Sequence, residues 1–175
     1  MKRCFIAINI PKNIKNKIYE IQNQLPEFIG KKTKLENLHL TLKFLGEINE
    51  DKIEKIKEKL KQTKFKKFNT TLDEVGVFSE KFIKILWLHL TNCTELQKQI
   101  DNSLQDLFKP EFRFMSHITI ARVKKIQNKN QFLENLKKIK IPEIKFHIDK
   151  FYLMSSELSS QDPKYKIIEE YNLVD

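Results

Sequence analysis

The sequence predicts a chain of mixed helices and strands that folds as two lobes related by a pseudo-twofold axis. The main observation is a repeat, because His39–Leu42 (HLTL) returns as His117–Ile120 (HITI), with the same His and Thr and with Ile in place of each Leu. The elements around the two copies recur at nearly the same spacing. We therefore interpret the chain as a duplicated β-α-β-α-β unit, in which the axis brings the two motifs to opposite sides of one groove.

Each half is predicted to begin with an apolar strand, followed by a helix with Ile or Leu at helical spacing. Pro11 suits the first position of such a helix. The predicted elements of the first half are Phe5–Ile10, Pro11–Leu25, the first motif strand, Glu50–Gln62 and Phe68–Ser79. Those of the second half are Ile85–Leu90, Thr94–Phe108, the second motif strand, Asn130–Lys138 and Phe146–Ser156. We predict one domain over 1–175, with lobe-like repeats of about 1–80 and 81–175 whose termini can swap between lobes.

The alternation within each motif is typical of a strand with one buried face. Residues two apart on a strand point the same way, with Cα atoms roughly 6.6–7 Å apart. Each copy therefore presents one imidazole and one hydroxyl on one face and anchors two aliphatic side chains on the other. A single copy would be weak evidence, but two copies at matching places favour a functional site. His89 and His147 lack the following Thr, and we expect them to have no direct role.

Two imidazoles and two hydroxyls in one cleft suit proton transfer at a phosphate. The ordinary histidine pKa lies near 6.5, so one ring can accept a proton while the other donates one. Thr41 and Thr119 can donate hydrogen bonds to phosphate oxygens. Arg122 offers a bidentate, permanently charged fork for the same oxygens. Strand parity places Arg122 on the face opposite His117, so this role requires a strand end, a twist or a bulge.

Several other classes of site are not indicated by the sequence. Neither motif carries carboxylates in a metal-ligand arrangement, and the three glycines allow no phosphate-binding loop. We therefore expect no metal and no cofactor. No signal peptide and no membrane-spanning segment are expected. Cys4 and Cys93 have neither metal-ligand nor disulfide spacing, which favours reduced thiols and a cytoplasmic location.

The net charge of +10 permits a polyanionic partner, RNA above all, but a solvated Lys-rich surface would give the same excess. The 13 Phe residues are expected mostly at core positions. Examples of these expected core positions are Phe5, Phe44, Phe68, Phe78 and Phe146.

The residues Asn37–Glu47 (NLHLTLKFLGE) and Ser116–Arg122 (SHITIAR) resemble the paired signatures of the two-histidine (2H) phosphoesterases. Within that superfamily the chain is most similar to the RNA 2',3'-cyclic phosphodiesterases, also labelled 2'-5' RNA ligases. The resemblance implies a bilobal α+β fold with antiparallel sheets flanking a central cleft. It also implies metal-independent hydrolysis of an RNA 2',3'-cyclic phosphate to a 2'-phosphate. It makes His39 the proton donor and His117 the proton acceptor, with Thr41, Thr119 and Arg122 binding the phosphate.

Two alternatives stay open at this point. One is 2'-5' RNA ligation as the reverse activity of the same site, and the other is a module that binds RNA ends or phosphates without turnover. The expected partner is RNA with a 2',3'-cyclic phosphate end or a small cyclic nucleotide. We expect no membrane association, no obligate protein partner and a monomer.

Overall fold

The computed structural model describes residues 1–157 and 162–175, and over these it contains nine β-strands and four α-helices. The helices are α1 (Lys12–Asn23), α2 (Glu50–Gln62), α3 (Thr94–Ser103) and α4 (Lys129–Lys137), and a short 3-10 turn spans Leu35–Asn37. The strands are β1 (Lys2–Asn9), β2 (Ile29–Lys32), β3 (His39–Ile48), β4 (Phe68–Val77), β5 (Ile85–Leu90), β6 (His117–Lys125), β7 (Ile144–Ile148), β8 (Lys150–Glu157) and β9 (Lys164–Asn172).

These strands join one sheet in the order β7-β4-β5-β6-β3-β1-β8-β9, with β2 added alongside β6. The paired strands are antiparallel throughout. The two motif strands, β3 and β6, meet at the middle of the sheet through the pair Leu40 and Ile118. The predicted α+β class with two antiparallel halves is confirmed, and the halves form one continuous sheet around this seam.

Strand order does not follow chain order within the lobes. Strand β4 comes from the first repeat but pairs with β5 and β7 of the second. Strand β8 comes from the second repeat but pairs with β1 of the first. Each lobe therefore receives its third strand from the other repeat, which ties the two lobes together covalently and through hydrogen bonds.

Most predicted elements are present with small shifts at their ends. The helix Glu50–Gln62 and the strand Ile85–Leu90 have the predicted bounds, whereas the third helix ends at Ser103 rather than Phe108. The prediction of one strand over Phe146–Ser156 is wrong. Strand β7 ends at Ile148 and β8 begins at Lys150, and the two lie in different lobes because they pair with different neighbours.

The main core lies between the helices and one face of the sheet. Its helical contribution comes from the apolar stripes of the four helices, such as Ile14, Ile18 and Ile21 of α1. The Asn49 side chain caps α2 by accepting a hydrogen bond from the Lys52 N–H. A second, smaller cluster of Phe5, Ala7 and Met154 lies on the other face of the sheet. Within the part of the chain that the structure describes, no helix is long and apolar enough to cross a membrane.

Candidate active site

The two motifs present their residues as the alternation predicts. The aliphatic residues Leu40, Leu42, Ile118 and Ile120 are buried in the core, at most 1% exposed. The intervening His and Thr side chains are partly exposed on the opposite face. There they line one cavity of about 750 Å³. His39, Thr41, His117, Thr119 and Arg122 all belong to its lining, so the structure brings the five predicted site residues together.

A bulge explains how Arg122 reaches this face. In the pairing of β5 with β6, Leu86 faces Ala121 and Trp87 faces Thr119, so Ile120 is an extra residue. An extra residue reverses the parity of the strand that follows. Ile120 and Ala121 are consequently both buried, and Arg122 returns to the side of His117 and Thr119. The sequence required a strand end, a twist or a bulge for this role of Arg122, and the structure has a bulge.

The first motif strand carries the matching bulge. In the pairing of β1 with β3, Leu42 is the extra residue, because Ile6 faces Lys43 and Ala7 faces Thr41. Five residues after its histidine, each strand therefore returns a side chain to the cavity. This position holds Arg122 in β6 and Phe44 in β3.

The prediction that Phe44 and Phe78 are core residues is wrong. Phe44 is 73% exposed and lines the cavity, because the bulge reverses its direction. Phe78 follows the last residue of β4, is 52% exposed and packs edge-on against His117 at 4.9 Å between ring centroids. The sequence feature that could have predicted Phe44 at the site is its position, which is equivalent to that of Arg122 in the repeated motif. The motif continues for two more residues, as His-x-Thr-x-x-Phe and His-x-Thr-x-x-Arg.

Both site histidines are held by the same backbone contact. His39 Nδ1 lies 2.7 Å from the Asn37 carbonyl oxygen, and His117 Nδ1 lies 2.7 Å from that of Met115. A carbonyl oxygen only accepts, so Nδ1 carries the proton and donates in each ring. Each neutral ring is therefore left with Nε2 as its proton acceptor. His39 Nε2 lies 3.1 Å from Thr41 Oγ1, and the hydroxyl can donate to it.

Two aromatic rings pack against His39, whereas Phe78 packs against His117. Phe5 lies 5.1 Å from the His39 ring, and Tyr165 lies edge-on at 5.0 Å. Tyr165 belongs to β9, a strand that the sequence did not predict, and it also lines the cavity. These rings exclude water from one side of His39 and fix the plane of its imidazole.

Burial lowers the pKa of both histidines. The pKa of His39 falls to about 4, mainly through desolvation, with further lowering by the charges of Lys15, His117 and Arg122. Desolvation also lowers the pKa of His117, and the Met115 carbonyl partly opposes it. Without an anion in the cavity, both rings are therefore neutral at pH 7. A bound anion would raise both pKa values, because it favours the charged form of each ring.

The cavity carries an excess of positive charge. Its lining includes six Lys and Arg side chains, namely Arg3, Lys31, Lys32, Lys34, Arg122 and Lys124. Asp162 is an acidic member of the lining, and its carboxylate lies 3.1 Å from Lys34 Nζ. Strand β2 brings Lys31 directly opposite Arg122, and Gly30 permits this approach, since a side chain there would collide with the Arg122 carbonyl oxygen. Such an arrangement attracts a polyanion.

The other two histidines lie outside the cavity lining. His89 Nδ1 lies 2.7 Å from an Asp73 carboxylate oxygen, and His147 Nδ1 lies 3.0 Å from Asn69 Oδ1. Cys4 borders the cavity beside Arg3, whereas Cys93 lies away from it. Both cysteines are buried free thiols, and burial raises the pKa of each. Among residues 1–157 and 162–175, no group of three or more His, Cys, Asp or Glu is placed to hold a metal ion.

The chain matches the family model described as LigT like Phosphoesterase in two stretches, over residues 8–87 and 90–165. It is 34% identical to the RNA 2',3'-cyclic phosphodiesterase of Methanocaldococcus jannaschii, over 97% of this chain and 99% of that protein. It is 35% identical to the protein of the same name from Thermotoga maritima, over 96% of this chain and 94% of that protein.

Solved structures share the fold at lower sequence identity. A crystal structure of a Thermus thermophilus protein superposes with a TM-score of 0.82 at 23% identity, covering 98% of this chain and 97% of that one. The crystal structure of Escherichia coli LigT complexed with 3'-AMP superposes with a TM-score of 0.78 at 22% identity, covering 99% of both chains.

Proposed function

Because the chain belongs to the LigT-like phosphoesterases of the two-histidine superfamily, we propose that it hydrolyses RNA 2',3'-cyclic phosphodiester ends to 2'-phosphomonoesters. The observation that carries the proposal is the pair of imidazoles in one cationic cavity, each with Nδ1 bound to a carbonyl and Nε2 left for proton transfer. The names of the Methanocaldococcus and Thermotoga relatives support the substrate class. Small 2',3'-cyclic nucleotides carry the same reacting group and belong to the proposed substrates.

In the proposed reaction, His117 Nε2 takes a proton from a water molecule as its oxygen forms a bond to phosphorus. The bond between phosphorus and the 3' oxygen breaks, and His39 Nε2 gives its proton to that oxygen. Thr41 and Thr119 donate hydrogen bonds to the phosphoryl oxygens, and Arg122 neutralises the charge that develops on them. One turnover leaves His39 neutral and His117 protonated, and exchange with solvent restores the starting state.

The donor role of His39 requires a proton that the free protein does not hold at pH 7. Burial keeps the pKa of His39 near 4, so the unliganded site opposes the protonated form. The phosphodiester monoanion raises the pKa of both histidines, because it brings a negative charge close to both rings. Substrate and the catalytic proton are therefore expected to enter the site together.

This coupling predicts different pH profiles for kcat/KM and kcat. The reactive free protein carries one proton on the pair, and both pKa values lie below the ordinary 6.5, with that of His39 near 4. We expect the plot of kcat/KM against pH to be bell-shaped, with its maximum between the pKa values of the two histidines. Above the higher of these two pKa values, kcat/KM should fall roughly tenfold per pH unit. The alkaline limb of kcat should lie at higher pH, because bound substrate raises both pKa values. Initial rates across pH 4–9 test this, and a kcat/KM that is flat between pH 5 and 9 would contradict the paired mechanism.

Metal independence is tested with the same reaction. Turnover of an oligonucleotide ending in a 2',3'-cyclic phosphate should be unchanged by EDTA, because the proposed acid, base and charge stabiliser are all side chains. Loss of activity in EDTA that a divalent metal restores would replace this proposal with a metal-assisted one.

Phe44 is proposed to support the nucleobase next to the cyclic phosphate. Its ring is exposed on the cavity side, and stacking of a base on an aromatic ring contributes about 1–3 kcal/mol. Phe44→Ala should therefore lower kcat/KM for a nucleoside 2',3'-cyclic phosphate by a factor of about 5 to 150, which is this free energy converted to a ratio of kcat/KM values. The effect should vanish with ribose 2',3'-cyclic phosphate, which has no base. Phe82→Ala removes an exposed ring outside the cavity lining and is the matched control.

A further inference from the structure

We propose that Gln22 is a positioning residue for Arg122, acting through the bulge of β6. The inference rests on the phosphate-binding role proposed for Arg122. Gln22 lies on α1, is 1% exposed and does not line the cavity. Its influence on the reaction must therefore pass through the backbone that it holds.

The Gln22 amide donates its two N–H groups to two specific carbonyls. Gln22 Nε2 lies 2.8 Å from the Ile120 carbonyl oxygen and 2.9 Å from that of Thr33. Ile120 is the extra residue of the β6 bulge. Its carbonyl also accepts from the Thr33 N–H at 2.9 Å, so this one carbonyl receives two hydrogen bonds. The contact joins α1, the segment before β3 and the motif strand of the other lobe.

The direction of Arg122 depends on this bulge. A regular strand would place Arg122 on the core face, two residues after the buried Ile120. The extra residue of a bulge is left unpaired in the pairing of β6 with β5, so contacts from outside that pairing can hold its geometry. The side-chain amide of Gln22 is such a contact, because a buried donor without its partner would be destabilising and the pair therefore resists rearrangement.

The bulge of β3 is held by different chemistry, which makes the role of Gln22 specific. There the buried Lys43 follows the extra residue and contacts Asp101 on α3 and the Lys109 carbonyl oxygen. Each repeat thus sends a polar side chain from its first helix to the bulge of the other motif strand. Beside Arg122 the clamp is a neutral amide. A carboxylate at the same place would add a negative charge beneath the residue that is proposed to bind phosphate.

The test measures inorganic phosphate binding to the whole protein, through the ring nitrogen NMR signals of His39 and His117. Gln22→Met keeps the side-chain length and removes both donors, and it should weaken phosphate binding roughly tenfold, the scale of one charge-assisted hydrogen bond. In an Arg122→Ala background the same change should have no further effect, because the residue it positions is gone. Gln22→Glu keeps the volume but, when ionised, has no donor and adds a negative charge, so it should weaken phosphate binding at least as much as Gln22→Met. Relative to the unchanged protein at the same pH, part of this loss should be recovered at low pH, where the protonated carboxyl can donate once.

Thr70→Val is the control for a merely structural effect. Thr70 is buried and donates to the Thr91 carbonyl oxygen at 2.7 Å, away from both bulges. Its replacement should lower the thermal unfolding temperature without changing phosphate affinity. Equal losses from Gln22→Met with and without Arg122 would overturn the positioning role. If Arg122→Ala alone left phosphate binding as strong as in the unchanged protein, both this inference and the proposed phosphate site would be overturned.

Discussion

Replacing either site histidine by alanine is expected to lower kcat for a 2',3'-cyclic phosphate by roughly 10²- to 10⁴-fold, the usual contribution of a positioned acid or base. Substrate affinity should change little, because Arg122 and the two threonines remain to bind the phosphate. Single-turnover assays with His39→Ala and His117→Ala separate these two quantities. His147→Ala is the matched control, since His147 is an exposed histidine of the same sheet outside the cavity lining. Normal turnover in both site variants would reject the paired mechanism.

The same variants distinguish the donor from the acceptor. A cyclic phosphate in which sulfur replaces the bridging 3' oxygen has a leaving group that departs as a thiolate and needs no proton. If His39 is the donor, His39→Ala should lose far less activity on this analogue than on the natural ester. His117→Ala should lose the same factor on both, because the attacking water still requires a base. Rescue of His117→Ala instead would reverse the assignment of the two rings.

Removing the charge of Lys43 is expected to have the largest effect on stability. Lys43 and Asp101 form a buried ion pair, with side chains 5% and 7% exposed. Lys43→Met would leave the Asp101 carboxylate buried without its cation, which typically destabilises a fold by about 3–5 kcal/mol. Urea unfolding at pH 7 measures the loss. Because this pair joins β3 of the first repeat to α3 of the second, the loss should appear in global unfolding of both lobes.

Two comparisons make the prediction specific to burial. Lys2→Met breaks the exposed pair with Glu50 and should change the free energy of unfolding by less than about 1 kcal/mol. Lys43→Met combined with Asp101→Leu removes both charges and should recover much of the loss. A single Lys43→Met variant as stable as Lys2→Met would show that the buried pair is not needed.

The free energy of unfolding at acid pH should also depend on Asp101. Burial alone would raise the pKa of Asp101, but hydrogen bonds from Lys43, the Glu111 N–H and Gln97 lower it below 3.8 overall. The contribution of this carboxylate is therefore fully present above pH 3.8 and is lost as the pH falls through its folded pKa.

The parts of the fold that sequence predicts well are those with a strong local period. The helix Glu50–Gln62 combines an Asn cap, acidic residues in its first turn and three buried aliphatic side chains, and its bounds are as predicted. Strand β2, by contrast, has four exposed residues, so no alternation marks it. The break at Asp149 between β7 and β8 reflects a change of partner strand, which is a property of the tertiary structure rather than of the local pattern.

The site residues likewise divide into those that a local sequence pattern predicts and those that depend on the tertiary structure. The alternation of His39 and Thr41, and of His117 and Thr119, was enough to predict which side chains meet. Strand parity showed that Arg122 could reach the cavity only through an irregularity in its strand. It did not show that a matching bulge in β3 also turns Phe44 toward the cavity. A bulge depends on contacts that are distant in sequence, such as that between Gln22 and Ile120, and a local pattern does not contain them.

The most direct test of the central proposal is the product formed from a short RNA with a 2',3'-cyclic phosphate end in the presence of EDTA. We predict a 2'-phosphate end, read by mass and by the position of the phosphate, which is absent with His39→Ala and with His117→Ala. A 3'-phosphate product, a joined 2'-5' linkage, or tight binding without turnover would contradict the account, and the last of these would identify the protein as an RNA-end-binding module.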